Sequence, residues 1–160
     1  MKTSEVFATL EKKSKRKSHW LAFLGLIFLI FLLHQNNFNI PFNRDEGEYA
    51  YSAWILKNGE IPYQNSYLQK PPMIVYTYYL AQFISPLSWV PRILSYLAVF
   101  LTALLLYLTV SKDFGKSVAL ILIWFVPILV LLPGFDQFAA NTEMFMILPL
   151  AGILAIYTLK

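Results

Sequence analysis

Residues 73–84 read MIVYTYYLAQFI, an uncharged run bracketed by Pro71-Pro72 and Ser85-Pro86. A helix that crosses a bilayer needs about 20 predominantly apolar residues, and a run of about 10–14 reads as interfacial or buried instead. Tyr76, Tyr78 and Tyr79 also suit the headgroup region better than the hydrocarbon. If this run lies on the surface, the chain has four spans. The Lys112/Lys116 turn then falls on the same side as the basic N-terminus, as the positive-inside rule prefers. Asp45 and Glu143 then share the outer side. If the run crosses, there are five spans and those two acids are separated. Length and charge both favour four.

Outward from this segment, apolar runs recur on both sides. Trp20–Leu33 is unbroken and is expected to extend as a helix to about Asn36, with Trp20 at the interface. Ile93–Val110 is a span with Pro91 at its start, and Ser111–Lys116 is a tight polar turn. Val118–Leu132 follows, with Pro127 expected to kink it. Pro133–Gln137 breaks that helix, and a last span runs from about Met144 to Leu159. The expected fold is therefore an all-α membrane protein: a polytopic bundle of four or five transmembrane helices, with amphipathic interfacial helices in a first outer loop over residues 37–90.

Composition agrees. The chain is 58% hydrophobic and only 14% charged, against about 45–50% and about 25% in soluble domains. The net charge of +4 is concentrated in Lys12, Lys13, Lys15, Arg16 and Lys17. A basic run of this kind can bind nucleic acid, but one placed just before a span holds the N-terminus in the cytoplasm. Residues 1–19 are therefore read as a partly ordered basic cytoplasmic tail, with no nucleic-acid partner. No small-x-small cleavage site follows the first run, which is read as an uncleaved span rather than a signal peptide. With no cysteine, disulfides, thiolate nucleophiles and cysteine metal sites are excluded.

The polar residues cluster in three places. Arg44-Asp45-Glu46-Gly47-Glu48-Tyr49 puts three carboxylates just past the first span. Asp45 and Glu48 have capping-box spacing, which predicts a helix over 46–57 ended by Asn58-Gly59 and Pro62. Tyr49, Ala50, Ala53, Trp54 and Leu56 would form its apolar side. Asp45 is either a helix cap or a general base for an acceptor hydroxyl. Lys70, before Pro71-Pro72, is either an anchor whose ammonium reaches for water or a phosphate ligand. Glu143 either favours a helix N-terminus or marks a functional site, with Asp136 a second acid in the same loop. Arg92 is either an interfacial anchor or a carboxylate partner. His19 and His34 stand isolated, and neither is read as a metal ligand.

The order Asp45-Glu46-x-x-Tyr49-Ala50, Lys70-Pro71-Pro72, Arg92 opening a span, Phe114-Gly115 and Thr142-Glu143 at the start of a span resembles membrane glycosyltransferases of the GT-C fold. It is most similar to the dolichyl-phosphate-mannose protein mannosyltransferase and aminoarabinose transferase superfamily, in its bacterial family 39 and 83 types. The resemblance covers about residues 20–160. It implies inverting transfer from a polyprenyl-phosphate sugar to an acceptor glycan, lipid or protein on the outer face of a bacterial plasma membrane. It makes Asp45 the catalytic base, supported by Glu46. Lys70 would bind the donor phosphate, with Arg44, Tyr49 and Glu143 also in the substrate site. Some relatives carry a metal-linked acid before Lys-Pro; Gln69 stands there, so no metal ligand is assigned, although the family leaves room for a divalent metal. Its members have more spans and a soluble C-terminal domain, so residues 20–160 would be the N-terminal part of a transferase, as a fragment or a truncated gene. The alternative is a small non-catalytic membrane subunit or remnant that binds lipid or a partner protein.

Overall fold

A computed structural model of the chain describes residues 3–131 and 139–160, with side chains from His19 onward. Seven helices occur among the described residues: α1 Thr3–His34, α2 Arg44–Lys57, α3 Pro62–Asn65, α4 Pro72–Ile84, α5 Trp89–Asp113, α6 Lys116–Val130 and α7 Thr142–Leu159. A 3-10 turn over Gln35–Asn39 extends α1, and no strand occurs among the described residues. Three stretches, His19–Asn39, Trp89–Asp113 and Thr142–Leu159, are long and apolar enough to cross a membrane. Lys116–Val130 is apolar but shorter. The basic segment expected as a tail is helical from Thr3 and runs into α1 without a break.

The helix ends show why the elements start and stop where they do. Asn43 has extended backbone, and its side chain accepts from the Glu46 amide at 2.9 Å. The Glu46 carboxylate in turn accepts from the Asn43 amide at 3.1 Å. The capping box is thus Asn43/Glu46, two residues before the expected Asp45/Glu48 pair, and Asp45 becomes a first-turn residue rather than the cap. The other end of α2 is a Schellman turn. The Glu60 amide reaches Ile55 O and the Gly59 amide reaches Leu56 O, both at 3.1 Å, with Gly59 at φ +81°. That conformation is open to glycine at little steric cost.

Several expected boundaries move. α5 starts four residues before Ile93 and takes in Pro91 and Arg92. Proline is tolerated there because the first-turn N–H groups have no intrahelical partner. α6 starts at Lys116, directly after Gly115 at φ +84°. Pro127 lies inside α6 and Pro149 inside α7.

Two apolar cores follow. α5 is the centre of the first, packed most extensively against α6 and α7. Leu26 and Ile30 of α1, Val99 and Ala103 of α5, Ala119 and Ile123 of α6 and Met144 of α7 are buried together. α1 meets α6 closely: a Cβ on Gly25 would lie 2.6 Å from the Trp124 ring. The second core joins α2 and α4 through Tyr49, Ala53, Ile74, Val75 and Tyr78, and also takes in Leu68 and Ala140. It forms a small unit at the end of the bundle where α7 begins. Trp54, expected on the apolar side of α2, is instead half exposed and stacked on Tyr51.

Candidate functional site

The site is organised around a buried ion pair. Glu46 and Arg92 are both fully buried. Arg92 Nε donates to Glu46 Oε1 at 2.9 Å and Nη2 to Oε2 at 2.5 Å. The remaining guanidinium N–H groups donate to the carbonyls of Asn37, Ile40 (2.7 Å) and Pro41 (2.9 Å). All five donors of the fork are therefore engaged. Glu46 Oε1 also accepts from the Ala140 amide at 2.8 Å. One carboxylate thus joins α2, the segment after α1, the start of α5 and the approach to α7. Of the two roles open to Arg92, the structure selects carboxylate partner.

Glu46, expected to support Asp45, has both oxygens engaged by protein donors, and neither reaches solvent. The Arg44 side chain, also expected at the site, is 89% exposed and faces Glu48 at 3.7 Å, one turn along α2.

The other expected residues come together. Lys70 Nζ lies 2.9 Å from Glu143 Oε1, although the two are 73 residues apart. Thr142 Oγ1 donates to the Tyr49 hydroxyl at 3.4 Å, and the Tyr78 hydroxyl donates to the Ala140 carbonyl at 3.0 Å. Lys70 is held from behind by Tyr63, whose hydroxyl donates to the Lys70 carbonyl at 2.8 Å. The bonded Glu143 carboxylate holds the Lys70 ammonium above its ordinary pKa, with Tyr49 and Asp45 adding to the effect through space. Burial pushes the Tyr49 phenol up, so it keeps its proton. Asp45 is half-buried and within electrostatic reach of both. One acid, one paired lysine and one protonated phenol thus share one end of the fold.

Ala140, Thr142 and Tyr78 were not picked out from sequence as site residues; a buried tyrosine opposite a loop carbonyl leaves no local pattern. His34 is not isolated: its ring lies against Tyr96, with centroids 4.4 Å apart, and Asn37 bridges the two. Asp136 lies outside the described residues. No group of three His, Asp or Glu side chains able to hold a metal occurs among the described residues. Compared with protein-family models, curated proteins and solved structures, the chain has no significant match.

Proposed function

We propose that this chain is the site-bearing part of a membrane glycosyltransferase. It would transfer a sugar from a polyprenyl-phosphate donor to an acceptor hydroxyl at the outer membrane face. The observation that carries the reading is the meeting of Asp45, Tyr49, Lys70 and Glu143 at one end of a bundle of apolar helices. The four-span arrangement belongs to the same proposal. In it α1, α5, α6 and α7 cross, and α2 and α4 lie at the outer surface. The 2.9 Å contact between Lys70 and Glu143 supports this arrangement, because five spans would put Asp45 and Glu143 on opposite sides.

The chemistry asks two things of the protein. The acceptor oxygen attacks the anomeric carbon as the bond from that carbon to the phosphate oxygen breaks, with inversion. Its proton passes to Asp45, which is half-buried but not committed to a cap. The negative charge gathering on the leaving phosphate is met by the Lys70 ammonium. Glu46 and Arg92 keep these groups in register.

The test is release of polyprenyl phosphate from a panel of polyprenyl-phosphate sugars by the full chain in proteoliposomes. General-base assistance is worth about 10²–10⁴ in rate, so Asp45→Asn is expected to lower release by that factor with insertion unchanged. Equal release by wild type and Asp45→Asn removes Asp45 from the chemistry. No release from any donor favours the non-catalytic lipid-binding subunit instead.

A further inference from the structure

The charges at the site do not yet suit a phosphate. Asp45 and Glu143 contribute two negative charges and Lys70 one positive, while Glu46 and Arg92 cancel each other inside the protein. A phosphate ester reaching Lys70 would therefore meet a net negative cluster and a lysine already bonded at 2.9 Å. Two anions cannot share one ammonium without repulsion, so one carboxylate must give way. The two acids differ in freedom. Asp45 sits in the first turn of α2, next to the buried Glu46. The Glu143 side chain is 68% exposed, against 34% for Lys70, and besides Lys70 its carboxylate meets only its own backbone amide among the bonds that hold it.

We infer that Glu143 is the resident anion of a phosphate site on Lys70, and that a phosphate ester enters by exchange with it. The inference rests on the reading of Lys70 as the phosphate ligand, and it adds a direction: Glu143 opposes binding at that step. An exposed ion pair contributes about 0.2–1 kcal/mol, so exchange costs the incoming phosphate no more than about fivefold in affinity. That is weak enough to be reversible.

The experiment is a double-mutant cycle on the full chain in detergent. Binding of phosphatidic acid over phosphatidylcholine is measured by native mass spectrometry for wild type, Glu143→Gln, Lys70→Met and the double variant. Glu143→Gln is expected to bind phosphatidic acid about two- to fivefold more tightly. Lys70→Met is expected to fall to the phosphatidylcholine level, and the Glu143→Gln gain to vanish in the double variant. Unchanged or weaker binding by Glu143→Gln overturns the inference. So does a gain that survives without Lys70, which would be general charge repulsion, or no preference for phosphatidic acid in any variant. A second arm adds inorganic phosphate. Competition that depends on Lys70 assigns the site to the phosphate group itself, and its absence assigns it to lipid-borne phosphate; exchange stands in both. Because no sugar is transferred in this assay, a supported exchange without donor turnover would count against the transferase alone.

Discussion

Replacing Arg92 by methionine leaves the Glu46 carboxylate buried without its cation. Removing one partner of a buried ion pair typically costs about 3–5 kcal/mol. Arg92→Met and Glu46→Leu are each expected to lose about that much, and the double variant clearly less than the sum of the two. Unfolding of the detergent-solubilised chain, followed by circular dichroism, gives all three values; strict additivity would mean the pair is not coupled. Lys70 behaves differently, because its partner is exposed. Its pKa is raised by the Glu143 bond above an ordinary 10.5. A raised pKa gives stability that is complete below the unfolded value and is lost as pH rises through the folded one. The Lys70–Glu143 pair should therefore hold unchanged from pH 6 to 9 and fail only above about 10.5. An NMR titration of the Lys70 side chain in the ¹⁵N-labelled chain checks this, and an ammonium that titrates near neutrality would refute it. Residue-level reading of the sequence singled out Asp45, Tyr49, Lys70 and Glu143, but placed the α2 cap at Asp45 rather than at Asn43. Two overlapping cap pairs are written there, Asn43/Glu46 and Asp45/Glu48. The choice between them is supported by Arg92, 46 residues further along, and nothing within α2 announces it.

Among the elements, α4 is the most informative. Its buried side, Ile74, Val75, Tyr78 and Ala81, faces inward with α2. Its opposite side exposes Met73, Tyr76, Leu80, Phe83 and Ile84. No charge occurs from Pro72 to Ser88, and Lys57 of α2 lies over the Phe83 ring, 5.5 Å from its centre. In the proposed four-span arrangement this outer side faces the membrane interface. Nitroxide labels at positions 76, 80 and 83 are therefore expected to be relaxed by oxygen dissolved in lipid, with labels at 75 and 78 protected from it. The same relaxation at all five positions would mean that α4 is not packed on α2 in the membrane. The sequence pattern of α4 was legible because it lacks charge and is short. The start of α5 was not, because Pro91 and Arg92 look like a boundary, whereas the first helical turn accepts a proline and the Glu46 carboxylate accepts the arginine.

At the scale of the whole molecule, two cores meet where α7 begins. The bundle core could be anticipated from apolar runs alone. The second core could not, since it joins Tyr49, Val75 and Ala140 through contacts between segments distant in sequence. Four crossings put Tyr67 outside and Phe114 inside, and both side chains are well exposed. The absence of native cysteine makes the check direct. A single cysteine at Tyr67 is expected to react with an impermeant thiol reagent in intact cells, and one at Phe114 only after permeabilisation. Reaction at both positions in intact cells would overturn the four-span arrangement.

The Glu46 carboxylate also has a history during synthesis. Its cation follows 46 residues later and the Ala140 amide 94 residues later. A chain emerging N-terminus first therefore carries this acid unpaired until α5 arrives. The carboxylate cannot enter a dry environment in that interval without a large desolvation cost. It must wait in water beside the first helix, and closure of the joint reports that α5 has reached its place.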